Sequence, residues 1–310
     1  MNLDFGNVST ILFNNQQVGS IDINGVEAWR SQVLTPFYVQ DTSGSENTLT
    51  IGKPSGTPTI VVEKSSNGIN WESMDVVNDK IIATVPANGR LYLRCSTTTW
   101  NPHRISLSGN YEVGGNIMSL LYGSEYSGGE VSFPSGSSST FANLFNGSQN
   151  LIRSSNLNLP ATKAVPYCYN AMFESCISMV DTPVLPATEL SGFCYQEMFR
   201  GCNALTTAPE LPATTLYNEC YSGMFYNCRA LTTAPELPTT TLVRRCYQYM
   251  FWGCTSLNYI KCLATDISAE DCIGSWVNGV SQTGTFTKKA GVTYPSGVSG
   301  IPSGWTVIEV

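Results

Sequence analysis

The side chains of this 310-residue chain that are best suited to chemistry are its eleven cysteines. Nine of them fall into two sets whose members recur every 26 residues. The first set is Cys168, Cys194, Cys220, Cys246 and Cys272, and the second is Cys176, Cys202, Cys228 and Cys254. Thiols can form disulfides, bind a metal or act as nucleophiles. Thiolate metal sites favour C-x-x-C spacing, whereas seven residues separate Cys168 from Cys176, so no metal site is predicted.

The regular interval favours a packing role for these thiols. Residues at equivalent positions of stacked repeats lie on one another, and a buried free cysteine behaves as a small hydrophobic side chain. We therefore predict two ladders of reduced, buried cysteines. A disulfide-linked secreted scaffold is the alternative.

His103 is the one histidine of the chain. A metal cluster that needs several histidines is therefore excluded, and Cys-His catalysis would depend on this residue alone. A phosphate loop, a dinucleotide fingerprint and a nucleophile elbow are also missing from the sequence. We predict no catalytic residue and no cofactor. A glycan-active enzyme is an alternative that needs a placed pair of carboxylates, which the sequence does not indicate.

Composition restricts the partners. Charged residues make up 13% of the chain, the net charge is −7 and the pI is near 4.8. This balance argues against binding to nucleic acid or to anionic membranes, because both need a cationic surface. No apolar run is long enough to enter a membrane, and the N-terminal residues lack the pattern of a signal peptide, so we expect neither membrane insertion nor signal-directed export.

The 26-residue period predicts a stacked array, since a single short repeat cannot bury its apolar face. Cys220, Met224 and Cys228 follow one another at four-residue intervals, which is typical of one helix face. The prolines of the following TTAPELP segment favour extended backbone. We predict a short helix and an extended leg in each coil. Helices are thicker than strands, so the array should bend into an arc.

The predicted fold class is α+β with several domains. Residues 1–31, with the turn signals Asn14-Asn15 and Asn24-Gly25, form a β-hairpin attachment unit. Residues 32–112 form an antiparallel β-sandwich. Residues 113–280 form a leucine-rich-repeat solenoid with an N-terminal cap, and its first copy contains a two-residue insertion. Residues 281–310 form a C-terminal β cap.

The repeat pattern C-Y-x-x-M-F-x-x-C-x-x-L-x-x-x-P-x-L-P-x-T-x-L resembles the BspA-like leucine-rich repeats over roughly residues 141–280. Methionine before phenylalanine and the length of the period depart from the usual pattern of that family. The resemblance implies an adhesive protein of a cell surface or a virion that binds proteins or glycans, without catalytic residues.

One position varies while its surroundings stay constant. After each Met-Phe pair, or its equivalent, stand Glu174, Arg200, Tyr226 and Trp252. Arginine, tyrosine and tryptophan are favoured at binding hot spots, so we predict an exposed recognition ladder, with drift at an unconstrained position as the alternative. Arg244 and Arg245 vary similarly and join this candidate site.

Two carboxylates, Glu210 and Glu236, occupy equivalent positions between prolines. They are interpreted as solvated side chains, with a small cation-binding ladder as the alternative.

These features predict a non-catalytic phage virion component, a tail fibre or another host-recognition protein. The N-terminal region would contact other virion or surface-assembly proteins, and the repeats would contact a host protein or glycan. We expect the chain to be oligomeric in its assembly. A bacterial cell-surface adhesin is the alternative.

Overall fold

The structure is a computed structural model that describes residues 12–13, 16–17, 20–23, 26–30, 35–52, 60–77, 80–95, 103–128 and 130–310. Near the N-terminus it contains two antiparallel strand pairs. These pairs are β1 (Leu12–Phe13) with β2 (Gln16–Gln17), and β3 (Ser20–Ile23) with β4 (Val26–Arg30). Ile23 lies opposite Val26, as the predicted hairpin requires. The predicted turn residues Asn14-Asn15 and Asn24-Gly25 lie outside the described residues.

Two sheets follow. Their strands are β5 (Tyr38–Asp41), β6 (Asn47–Gly52), β7 (Val62–Ser65), β8 (Glu72–Ser73), β9 (Val76–Val77), β10 (Lys80–Val85), β11 (Arg90–Cys95), β12 (Arg104–Leu107), β13 (Tyr111–Asn116) and β14 (Leu151–Asn158). One sheet has the order β12-β6-β10-β9, and the other has the order β14-β13-β5-β11-β7-β8. Strands β10 and β11 bury every second residue, the period of a strand with one face in a core.

Strand β14 connects the sheets to the repeats. It pairs in parallel with β13. It also accepts a backbone hydrogen bond from the next repeat, where Val180 N–H donates to the Ile152 carbonyl at 3.0 Å. A short helix, α1 (Ser119–Tyr122), and a 3-10 turn (Gly123–Glu125) precede it.

The predicted α+β fold class is wrong, and the error is largest in the repeats. The described residues contain one short α-helix, α1, and are mostly sheet in several small sheets. The segment with Cys220, Met224 and Cys228 forms consecutive turns instead of a helix. A leucine-rich-repeat solenoid with one helix per coil is therefore not the structure of this protein.

Backbone geometry explains the difference. Glu219, Gly223 and Asn227 have φ values of 57°, 61° and 59°, so every fourth residue is left-handed and a right-handed helix cannot continue. Within the copy, Met224 N–H donates to the Tyr221 carbonyl at 3.2 Å. Phe225 N–H instead donates to the Met250 carbonyl of the next copy at 2.9 Å. Alternate N–H groups thus join neighbouring copies, and the period of the turns is four residues.

We call residues 139–280 the turn stack. Its aromatic rings lie on their equivalents in the next copy, with centroids 5.3–5.8 Å apart in the phenylalanine row that begins at Phe145. A helix is about 10 Å across. Because the turns stack at close to strand spacing, the predicted bend into an arc loses its physical basis.

The first copy is offset from the others. Phe141 N–H donates to the Cys168 carbonyl, 27 residues away, whereas Tyr169 N–H donates to the Cys194 carbonyl, 25 residues away. This difference of two residues agrees with the predicted insertion in the first copy.

The last copy is covered by the C-terminal residues. Strands β15 (Tyr259–Cys262), β16 (Thr285–Lys288) and β17 (Thr306–Glu309) form a parallel sheet. The fully buried Trp276 donates from Nε1 to the Gly300 carbonyl at 2.8 Å. No helix among the described residues has the length and apolar character needed to cross a membrane.

Candidate functional site

The cysteines are packing residues of the turn stack. All eleven are free and buried. Their burial agrees with the predicted ladders, and their reduced state stays a prediction. In the second set, the Cys228 thiol donates to the Phe199 carbonyl at 3.0 Å and the Cys254 thiol donates to the Phe225 carbonyl at 2.9 Å. Each of these thiols thereby joins its copy to the preceding one, which a methyl group in its place would not do.

Burial also makes these thiols poor nucleophiles. It raises the pKa of Cys194 and of Cys254 to about 12, and it raises the pKa of Cys220 and Cys228 well above the ordinary value. The reactive thiolate is therefore scarce near neutral pH. His103 is buried next to β12, and within the described ranges no three His, Cys, Asp or Glu residues are grouped as a metal site would need.

The predicted recognition position forms a continuous row of side-chain contacts, which we call the outer ladder. Its members are Asn146, Glu174, Arg200, Tyr226 and Trp252. Asn146 donates from Nδ2 to Glu174 Oε2 at 2.7 Å, and Arg200 Nε lies 3.7 Å from Glu174 Oε1. The Arg200 guanidinium lies 4.8 Å from the centre of the Tyr226 ring, and that ring stacks on Trp252 at 5.9 Å.

Two features of the outer ladder differ from the sequence prediction. The predicted members are partly buried instead of fully exposed, and the side chain of Arg200 is 40% exposed. Asn146 was missed because the insertion places it 28 residues before Glu174. The two-residue offset of the first copy was the signal that could have found it.

A groove of about 500 Å³ runs beside the outer ladder. Arg200, Tyr226 and Trp252 line it together with Glu197, Gly223 and Tyr249. The ring of Tyr249 is inclined by 73° to that of Trp252 at 5.6 Å, and Tyr249 is 40% exposed. The groove is therefore partly aromatic, with charged groups near one end.

Gly223 is the smallest residue that lines this groove. Glu197, Gly223 and Tyr249 are equivalent residues of successive copies, and all three have positive φ. A Cβ atom on Gly223 would lie 3.2 Å from Glu197 Cγ. Gly223 therefore adds no side chain between Glu197 and Tyr249, and the Glu197 side chain lies close to its backbone. Sequence reasoning missed this row, whose variation with the 26-residue period was the available signal.

Arg244 and Arg245 lie outside the residues that line the groove. Arg244 pairs with Glu219 at 3.1 Å and with Glu270 at 3.3 Å. Arg245 pairs with Glu270 at 3.2 Å and lies 3.5 Å from Asp271. Both charges are thus engaged in an ion-pair network along one edge of the turn stack.

The two carboxylates between prolines lie at a second, smaller groove of about 380 Å³. Glu210 and Glu236 are both exposed, and Glu236 Oε2 lies 2.9 Å from Lys261 Nζ. This arrangement agrees with solvated side chains.

Comparison with protein-family models finds no match to this chain, and neither curated proteins nor solved structures give a match. The resemblance to the BspA-like repeats therefore stays a prediction. Support for a function comes instead from the geometry of the outer ladder and its groove.

Proposed function

We propose that this chain is a non-catalytic host-recognition component of a phage virion, and that the outer ladder and its groove contact the host surface. The observation that carries the proposal is the placement of Arg200, Tyr226 and Trp252 in one contiguous, partly exposed row beside a groove. These residue types dominate binding energies when a partner desolvates them.

The scaffold beneath the outer ladder supports a binding role. Backbone hydrogen bonds and ring stacks run from copy to copy, so the side chains of the outer ladder are held in place before a partner arrives. A preorganised surface loses less conformational entropy on binding. The buried cysteines, with their raised pKa values, support a role without covalent catalysis.

The proposed site of attachment is the N-terminal region, which would contact other virion proteins in an oligomeric assembly. Cross-linking of purified particles followed by mass spectrometry tests this part. We expect cross-links between residues 1–31 and a second virion protein. Cross-links to this protein that occur only through the turn stack would contradict it.

Fractionation of the source culture tests the location. We expect the chain in purified particles. Its recovery in the bacterial envelope fraction of particle-free cells would instead support a cell-surface adhesin.

Binding of the labelled full-length chain to intact host cells tests recognition. Trp252→Ala should weaken binding by roughly tenfold or more, because it removes an aromatic hot-spot residue. Tyr217→Ala is the matched control, since Tyr217 is 54% exposed and does not line the groove. Absence of cell binding by the unmodified chain, or an equal loss in both variants, would contradict the proposal.

A further inference from the structure

The two ends of the groove offer different chemistry. At one end, Arg200 Nη1 lies 2.6 Å from Glu197 Oε1. Toward the other end stands the partly exposed ring of Tyr249, followed by Ser275 of the next copy. A ligand that fills the groove therefore meets paired hydrogen-bonding groups on one side and an aromatic ring on the other.

Charge selects against ionic ligands. The charged residues that line the groove are Glu197 and Arg200, and they pair with each other. The lining therefore carries no net charge to attract an ion of either sign. Hydroxyl groups suit this end better, because each can donate to a carboxylate and accept from a guanidinium.

Size admits a single ring. Gly223 adds no side chain between Glu197 and Tyr249, and the groove measures about 500 Å³. A saturated six-membered ring can enter it and place its positively polarised C–H groups against the electron-rich face of Tyr249.

We infer that this groove binds one neutral hexopyranose unit of a glycan. The inference rests on the proposed recognition function and specifies its ligand. Glu197 and Arg200 would bind the sugar hydroxyls, Tyr249 would pack against the C–H face, and Gly223 would provide the space.

Titration of the full-length chain with simple sugars tests the ligand class. The probes are methyl glucopyranoside, galactopyranoside, mannopyranoside and N-acetylglucosaminide, and saturation-transfer NMR detects binding. Methyl glucuronide and choline serve as anionic and cationic counter-probes. We expect at least one neutral pyranoside to bind and to be preferred over both counter-probes. Binding of none of the neutral sugars, or preference for a charged probe, would overturn the inference.

Gly223→Ser tests the position of the site. Serine already occupies the equivalent position at Ser275 with φ 50°, so the backbone accepts it, but the new side chain would fill the groove. Affinity for the bound pyranoside should fall by about tenfold or more, as expected when a ligand loses its steric fit. Gly147→Ser is the matched control. Gly147 has φ 76°, nothing lies within 4 Å of its added Cβ, and it does not line the groove.

Tyr249→Ala provides a second variant, because Ala171 occupies the equivalent position with φ 50°. It should also weaken pyranoside binding by about tenfold, the usual scale for loss of an aromatic contact. Unchanged affinity in both Gly223→Ser and Tyr249→Ala would overturn the assignment of the groove.

Cell binding separates the two proposals. If the unmodified chain binds host cells through Trp252 but no pyranoside binds, the sugar inference is wrong and the recognition function stands. If a pyranoside binds through Gly223 and Tyr249 but no host cell is bound, the sugar site stands and the recognition function is wrong.

Discussion

The sheets formed by β5–β14 and the turn stack bury their apolar residues in different ways. In the sheets, each strand pairs with a strand of different sequence, as β10 pairs with β6 and β9. In the turn stack, each residue lies on its own equivalent, so Phe199 contacts Phe173 on one side and Phe225 on the other. A substitution in the turn stack therefore removes contacts with the equivalent residues of both neighbouring copies.

The comparison extends to hydrogen bonds. Strands satisfy their backbone groups with one another across a ladder. The turn stack divides its backbone hydrogen bonds between its own turns and the next copy. In addition, thiols of the second cysteine set donate to phenylalanine carbonyls of the preceding copy. Repetition thus replaces strand pairing as the source of cohesion, and it concentrates ten of the eleven cysteines in one region.

The largest expected difference between the regions is their response to alkali. Burial raises the pKa of the buried thiols, to about 12 for Cys194, Cys246 and Cys254. The folded state then holds protons that the unfolded state loses above its ordinary thiol pKa of about 8.5. This stability is complete below that pKa and is lost as pH rises toward about 12. At about pH 10 each such thiol should lower the free energy of unfolding by about 1 kcal/mol or more, so the turn stack should lose several kcal/mol of stability.

Urea unfolding at about pH 8 and about pH 10 measures this loss. Limited proteolysis then identifies the region that opens. The sheets contain a single such thiol, Cys95, whose pKa burial also raises to about 12, so they should respond less. Opening of residues 35–95 before the turn stack would contradict the prediction.

The stacking of equivalent rings in neighbouring copies predicts the next largest effect. Phe199→Ala should lower the free energy of unfolding by about 4 kcal/mol, because it leaves a cavity and removes two stacked ring pairs. Phe37→Ala is the matched control in the sheet region. Phe37 is equally buried, but its described ring contact is one tilted pair with Phe145 at 6.1 Å.

We expect Phe199→Ala to cost about 1 kcal/mol more than Phe37→Ala, the scale of one additional aromatic pair. Urea midpoints at a constant m-value measure the difference. A larger loss in Phe37→Ala would show that stacking within the rows adds little to burial alone.

These contrasts also explain which features the sequence could predict. A half-buried strand leaves a two-residue pattern, as KIIATV and RLYLRC show in β10 and β11, within residues 32–112 that were predicted to form strands. The 26-residue interval correctly identified residues that lie on one another, including the buried cysteines. Both signals report which residues are buried together.

The predicted local structure of the repeats was wrong because a helix and a series of four-residue turns place residues on one side at the same spacing. A four-residue interval places Cys220, Met224 and Cys228 on one side of a helix and also on one side of consecutive four-residue turns. The discriminating signal lies in Gly201, Asn227 and Gly253. Glycine and asparagine accept positive φ readily, and their recurrence at one repeat position favours turns.

The groove could not be derived from the residues alone. It depends on a missing side chain at Gly223 lying between Glu197 and Tyr249, and that placement requires the turn geometry. The outer ladder depends less on local geometry. Its residues vary in register with the period, which is why Arg200, Tyr226 and Trp252 were predicted together.

Acid should destabilise the sheet region, whereas alkali should destabilise the turn stack. Burial of Asp41 alone would raise its pKa, but hydrogen bonds from the Ser43 hydroxyl, the Asn88 and Ser43 N–H groups and the Asn47 amide outweigh it and lower the pKa to about 2. The resulting stability is complete above the ordinary pKa of about 3.9 and is lost as pH falls toward about 2. The sheet region should lose about 1–2 kcal/mol in this window.

Unfolding between about pH 5 and about pH 2 measures this loss, with Asp41→Asn as the control. That variant should be less stable at neutral pH and should lose the pH dependence that Asp41 contributes. An unchanged acid profile in Asp41→Asn would contradict the role of this carboxylate.

The smallest expected effect compares ion pairs in the two regions. Arg244, at the edge of the turn stack, pairs with Glu219 and Glu270, but its side chain is 41% exposed. Arg94, in the sheets, pairs with Glu63 at 2.8 Å, is 20% exposed and lies 4.4 Å from the Trp71 ring centre. Solvent and salt screen the first arrangement more strongly than the second.

Arg244→Ala should therefore cost about 0.5 kcal/mol, and this cost should vanish near 1 M salt. Arg94→Ala should cost about 1 kcal/mol and keep most of that cost in salt, because it also loses a cation–π contact. Urea unfolding at low and high salt measures both. Arg244→Ala should leave pyranoside binding unchanged, since Arg244 does not line the groove. A salt-resistant loss in Arg244→Ala would mean that this edge contributes to the cohesion of the copies as strongly as their interior does.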